Sequence, residues 1–228
     1  MEKPFHDRKI KIQGSRGSSI LQSRQRREQN RDRIYPRART CSNRVDMLSK
    51  FVKGKVAVFI DAENVFYSQR TLGWLISYER LMKYIRRECG GETKCFIYTG
   101  IDDLNHRQRK FLDMLDISGY IVRTKTVKKI RTPHGYKWKN NLDIELAMEM
   151  YALAPKYDTA ILMSGDSDFA APIRYIKEQG KRIIVLSTRG HISRELLELA
   201  KYVDLRKLRD SITQESPPPN SKAARRRP

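Results

Sequence analysis

No stretch of this 228-residue chain is apolar for long enough to cross a membrane, and none forms the apolar core of a signal peptide. Cysteine is scarce. Cys41, Cys89 and Cys95 make neither a zinc-binding spacing nor an even set for disulfides, which fits a reducing cytoplasm. The four histidines (His6, His106, His134 and His191) are scattered, with no pair at ligand spacing, and read as surface or structural residues. A serine nucleophile at Ser164 or Ser167 would need a paired base that the sequence does not offer. Hydrophobic residues make up only 39% of the chain, so part of it is expected to remain outside any packed core. Negative charge is also short: 26 acidic residues face 47 basic ones, a net charge of +21.

That excess is spread along the whole chain. Residues 1–50 hold fourteen Lys/Arg and five Asp/Glu, residues 51–210 hold 29 and 20, and residues 211–228 hold four and one. A basic core with basic ends predicts a polyanionic partner, although basic tails alone bind nucleic acid without sequence preference. Residues 1–50 read as a disordered basic extension. Their Arg- and Ser-rich composition faintly resembles a transit peptide, but five acids and no clean amphipathic stripe argue against one. Ser216-Pro217-Pro218-Pro219 and Arg225-Arg226-Arg227 mark 211–228 as a tail. One domain of about 160 residues, 51–210, is left between them.

Strand-like apolar runs alternate with helical patterns across that domain. Strands are expected at 55–61, 94–99, 120–127, 158–163 and 182–187, with an edge strand at 202–206. Helices are expected at 77–89, 104–118, 142–153, 169–179 and 192–200. Such alternation implies βαβ units, right-handed crossovers and a parallel sheet.

Two of the apolar runs end in acids. Lys55-Val56-Ala57-Val58-Phe59-Ile60-Asp61 is nearly uninterrupted, as in a strand buried on both faces, and places Asp61 at its carboxyl end. Thr159-Ala160-Ile161-Leu162 leads into Met163-Ser164-Gly165-Asp166-Ser167-Asp168-Phe169, with Pro172 in the first turn of the following helix. Two readings of that segment stand: a capping turn, or paired carboxylates around a hard cation such as Mg²⁺ or Mn²⁺. If both strands are central and parallel, Asp61 and Asp166 converge on the sheet edge where open α/β sheets bind ligands. Asn64 is placed to orient a carboxylate or a water through its amide. Glu63 reads as a surface residue. Asp143 opens a helix whose stripe is Leu142, Leu146, Met150 and Leu153; by itself it would compensate the helix dipole, and Glu149 would be a helix-surface acid.

Taken together, Asp61-x-x-Asn64 after a first strand, an acid opening a middle helix, and Ser164-Gly165-Asp166-Ser167-Asp168-Phe169 resemble the NYN domain family, the LabA-like branch of the PIN-like metal-dependent ribonucleases. The resemblance covers roughly residues 53–210. It implies a three-layer α/β/α sandwich with a mainly parallel sheet and metal-dependent cleavage of RNA. It maps the metal-binding acids onto Asp61, Asp143, Asp166 and Asp168 and the family's characteristic Asn onto Asn64; Mg²⁺ or Mn²⁺ would be the cofactor. A second helix acid often follows the first by six residues, and Glu149 stands there. The usual Lys-Gly-Val-Asp lead-in is replaced by Lys139-Asn140-Asn141-Leu142-Asp143. That departure keeps a rival reading open, a non-catalytic RNA-binding or regulatory module on the same fold. A phosphatase of the haloacid dehalogenase type fits poorly, because Glu63 stands where its second Asp belongs. A TOPRIM domain would want Glu in place of Asp61.

One insertion is purely basic. Arg123, Lys125, Lys128, Lys129, Arg131, Lys137 and Lys139 lie between Val122 and Asp143 with no acid among them. Thr132-Pro133-His134-Gly135 is a turn signal, so the segment reads as a basic β-hairpin. Its cations would hold phosphates, and Tyr136 or Trp138 would stack on a base or, for Trp138, cover the core edge. The expected partner is RNA, with single-stranded DNA open.

Overall fold

The computed structural model describes residues 47–102, 106–132, 135–139 and 142–214, with side chains described at all of these but 106–107, 128–132 and 135–139. Most of the basic N-terminal extension, the C-terminal tail from 215 and the turn at 133–134 lie outside the described residues.

Six strands form one parallel sheet: β1 (Val56–Asp61), β2 (Lys94–Ile101), β3 (Ile121–Thr126), β6 (Thr159–Met163), β7 (Arg182–Ser187) and β8 (Lys201–Asp204), in the order β3-β2-β1-β6-β7-β8. A separate antiparallel pair, β4 (Lys128–Thr132) and β5 (Gly135–Lys139), is the hairpin expected from the basic insertion, with Lys128 opposite Lys139 and Thr132 opposite Gly135. Seven α-helices are present among the described residues: α1 (Ala62–Leu72), α2 (Tyr78–Cys89), α3 (His106–Ser118), α4 (Asp143–Ala152), α5 (Ala170–Glu178), α6 (Arg194–Leu199) and α7 (Arg209–Ile212).

The central strands are apolar on both faces because both faces are covered. Val56, Val58 and Ile60 of β1 join Ile161, Met163, Ile184 and Leu186 in one core with α1, α2, α3 and α7. Ala57 and Phe59 alternate onto the other face, where Ala160, Leu162 and Val185 pack with α4, α5 and α6. The three-layer α/β/α sandwich implied by the family resemblance is therefore the fold. Each fully buried aliphatic or aromatic side chain in these layers contributes about 1.5–3 kcal/mol.

Helix α1 has no counterpart among the helices expected from the sequence. Its residues (Val65, Phe66, Tyr67, Ser68, Thr71) are mediocre helix formers. Tertiary context supplies what propensity lacks. Asp61 caps the helix, Ala62, Val65 and Ser68 form a buried stripe, and Gly73 ends it at φ 71°.

The chain is already folded at Leu48, which is fully buried, and Leu48 and Ser49 donate backbone N–H groups to the buried Glu88 carboxylate. At the other end Gln214 N–H bonds to Leu75 C=O at 2.8 Å. No helix among the described residues is long and apolar enough to cross a membrane.

Chain order reverses direction between β1 and β6, which lie side by side. Connections leave these two strands toward opposite sheet edges, so a crevice opens beyond their carboxyl ends. Asp61 ends one of these strands, and Ser164-Gly165-Asp166 follows the other.

Candidate metal centre

At the crevice the main chain is clamped before any ligand is considered. Asp61 Oδ1 accepts the N–H groups of Glu63 and Asn64 at 3.0 and 3.1 Å, and its Oδ2 accepts the Ser164 hydroxyl at 3.1 Å. Asn64 Oδ1 accepts the Gly165 N–H at 3.1 Å, which ties the loop after β6 to the first turn of α1. Gly165 C=O accepts the Ser193 N–H at 2.9 Å. A Cβ at Gly165 would stand 1.7 Å from His191 C=O, so only glycine lets the two loops approach. Thr71 hydrogen-bonds the His191 ring at 2.5 Å from the far end of α1.

Beyond Gly165 the chain turns into a short 3₁₀ segment, Ser167–Phe169. Asp166 caps it, its Oδ1 accepting the Asp168 N–H at 3.0 Å, while Phe169 is buried in the core as the anchor. Asp143 enters from α4. That helix has no side-chain N-cap; Leu142, buried ahead of it with Leu146 and Met150 in the stripe, sets where Asp143 stands.

These placements bring the acids together. Asp61, Glu63, Asn64, Tyr67, Tyr98, Leu142, Asp143 and Asp166 line one cleft of about 280 Å³. Asp143, Asp166 and Asp168 each offer a carboxylate oxygen within 4.8 Å of the others. Two oxygens on opposite sides of Mg²⁺, each about 2.1 Å away, stand about 4.2 Å apart, so sub-ångström shifts would close this group on an ion. The donors are hard oxygens, which suits Mg²⁺ or Mn²⁺ in preference to softer metals. Asp61 borders the same cleft with both its oxygens already hydrogen-bonded.

The electrostatics match. Burial pushes the Asp61 carboxyl above its ordinary value even though Asn64 N–H, Ser164 and Glu63 N–H all oppose the shift. Glu63 is pushed up by burial and then by the neighbouring Asp143 charge. Carboxylates that raise one another's pKa at a sheet edge form a region of unfavourable negative potential, which a divalent cation relieves.

The remaining acids and cations of the sequence reading fall in a second network. Glu149 accepts Arg123 Nε at 2.8 Å and a second guanidinium nitrogen at 2.5 Å, and Tyr98 donates its hydroxyl to Glu149 at 2.8 Å. Lys125 pairs with Glu145 at 2.5 Å. Arg123 and Lys125 thus tie β3 to α4. The side chains of Lys128, Lys129, Arg131, Tyr136, Lys137, Trp138 and Lys139 lie outside the described residues.

Three cleft residues escaped the sequence reading. Glu63, read as a surface acid, borders the cleft beside Asp143; Tyr67 and Tyr98 line it. The available signal was the helix itself: once Asp61 caps α1, position 63 falls in its first turn beside the cap.

The chain is 36% identical over 173 residues to the Low amplitude and bright protein LabA of Synechococcus elongatus, covering 74% of this chain and 92% of that protein. An uncharacterized protein of Methanocaldococcus jannaschii is 35% identical over 65 residues, 28% of this chain and 27% of its own length. A crystal structure of a Vibrio parahaemolyticus protein of unknown function superimposes with a TM-score of 0.60 at 23% identity, covering 71% of this chain and 97% of that one, and shares the fold. The NYN domain family model matches residues 55–218, and with the acid-bearing crevice at its sheet edge the chain belongs to the NYN domain family.

Proposed function

We propose that this protein is a metal-dependent ribonuclease. The observation that carries the reading is the meeting of Asp143, Asp166 and Asp168 within 4.8 Å, beside Asp61, at the carboxyl edge of a parallel sheet. Asp143, Asp166 and Asp168 would hold Mg²⁺ or Mn²⁺, with Asp61 adding negative charge from the floor of the cleft. When bound, the ion would acidify water and offset charge on the scissile phosphate. The carboxylates are ligands in this scheme, not nucleophiles. Asn64 keeps the Asp166 loop in register with Asp61 through Gly165, and Ser164 orients Asp61. The basic hairpin and the basic ends would hold the RNA backbone. A cytoplasmic location accompanies this reading.

The test is incubation of the full chain with a pool of structured and unstructured RNAs in Mn²⁺, Mg²⁺ or chelator, beside an Asp166→Asn variant. Metal-dependent cleavage that falls at least about a hundredfold in the variant, with folding and most RNA affinity retained, is the expected result. Cleavage that survives the substitution overturns the site assignment. Salt-sensitive binding with no cleavage in any arm points to an RNA-binding module instead.

A further inference from the structure

Helix α1 carries two large aromatic side chains in water. Phe66 is 55% and Tyr67 47% exposed, while the helix's own core stripe is Ala62, Val65 and Ser68, so neither ring is a displaced core residue. The rings meet edge to face at 5.7 Å, and the Arg70 guanidinium sits 5.3 Å from one ring centroid and 5.4 Å from the other. Beside them runs a groove of about 500 Å³, walled by Phe66, Tyr67, Tyr78, Thr99, Gly100 and Phe111. Glu63 and Tyr67 line both this groove and the acidic cleft, so the groove opens directly from the candidate metal centre.

We propose that Phe66, Tyr67 and Arg70 form a stacking site for an unpaired nucleotide beside the acidic cleft, making the protein selective for single-stranded nucleic acid. Aromatic faces and a guanidinium plane are the groups on which bases stack, and they do so without regard to base identity. A duplex keeps its base faces covered and cannot use them. The Arg70 guanidinium at the ring faces favours this occupant over an apolar peptide. The proposal builds on the ribonuclease reading but concerns binding, and its test is independent of cleavage.

The full chain is titrated, in chelator and at fixed salt, against labelled unstructured ribo- and deoxyribo-oligonucleotides and a blunt duplex of equal length, by fluorescence anisotropy. The readout is the ratio of single-strand to duplex affinity, because the basic ends bind any polyanion. Phe66→Ala with Tyr67→Ala lowers that ratio about tenfold or more, the scale of one stacked base, for RNA and DNA alike or for RNA alone; Phe66→Tyr retains it. Circular dichroism checks the fold, and if the double variant melts early the single Phe66→Ala variant takes its place. An unchanged ratio in a folded variant overturns the proposal, and so does equal loss of single-strand and duplex binding. Selective stacking without cleavage would leave this site standing and remove the ribonuclease; cleavage without stacking would do the reverse.

Discussion

Gly165 sits where two loops touch, and its role is steric. Any side chain there would drive into the His191 carbonyl, a backbone atom that cannot swing aside. Gly165→Ala is therefore expected to push the Asp166 loop away from Asn64, breaking the 3.1 Å bond that aligns it with Asp61. Overpacking of this kind costs about 1–3 kcal/mol, a melting-temperature drop on the order of 5 °C for a domain of this size. Metal binding should weaken in parallel, because a ligand loop displaced by an ångström no longer matches its partners. A variant that melts and binds Mn²⁺ like the parent would show that the close approach is dispensable.

At the level of elements, β3 and α4 are linked by Arg123 on Glu149 and Lys125 on Glu145. The Arg123 hydrogen bonds, and less strongly the Tyr98 hydroxyl, hold the Glu149 carboxyl below its ordinary value. A depressed carboxyl pKa contributes stability above the unfolded glutamate pKa, and that contribution is lost as pH falls through the folded value. Glu149→Gln should therefore destabilise the metal-free protein by about 1 kcal/mol at neutral pH, a modest figure because the Arg123 side chain is 44% exposed. The gap should narrow as urea melts are moved down through the glutamate range; a gap independent of pH would assign Glu149's role to packing. The same pairing makes the second helix acid a brace between β3 and α4.

For the molecule as a whole, the acidic crevice is a cost carried by the fold. Carboxylates at Asp61, Glu63, Asp143 and Asp166 line one cleft, and burial and mutual repulsion raise the pKa of Asp61 and Glu63. A cation that binds only the folded state stabilises it by mass action, about 2.7 kcal/mol at a hundred times its Kd. Mn²⁺ should raise the melting temperature of the parent protein by several degrees, and should not do so for Asp143→Asn combined with Asp166→Asn. Equal metal-induced shifts in both proteins would move the binding site elsewhere.

The central strands were legible in the sequence because they are local signals: five-residue, largely apolar runs at Val56–Ile60 and Thr159–Met163, buried on both faces. The strand-ending acids followed from the same runs, since Asp61 and Asp166 stand next to them in the chain. Helix α1 was not legible, because its stability comes from an Asp61 cap and a narrow buried stripe and not from propensity. The family resemblance had already grouped Asp143 with Asp166 and Asp168, although spacing along the chain does not; tertiary structure alone decided that Glu63 borders the cleft and that Arg123 and Lys125 close onto α4 acids. Those pairings depend on crossovers that bring distant segments to one sheet edge, and side-chain spacing along the chain carries no record of them.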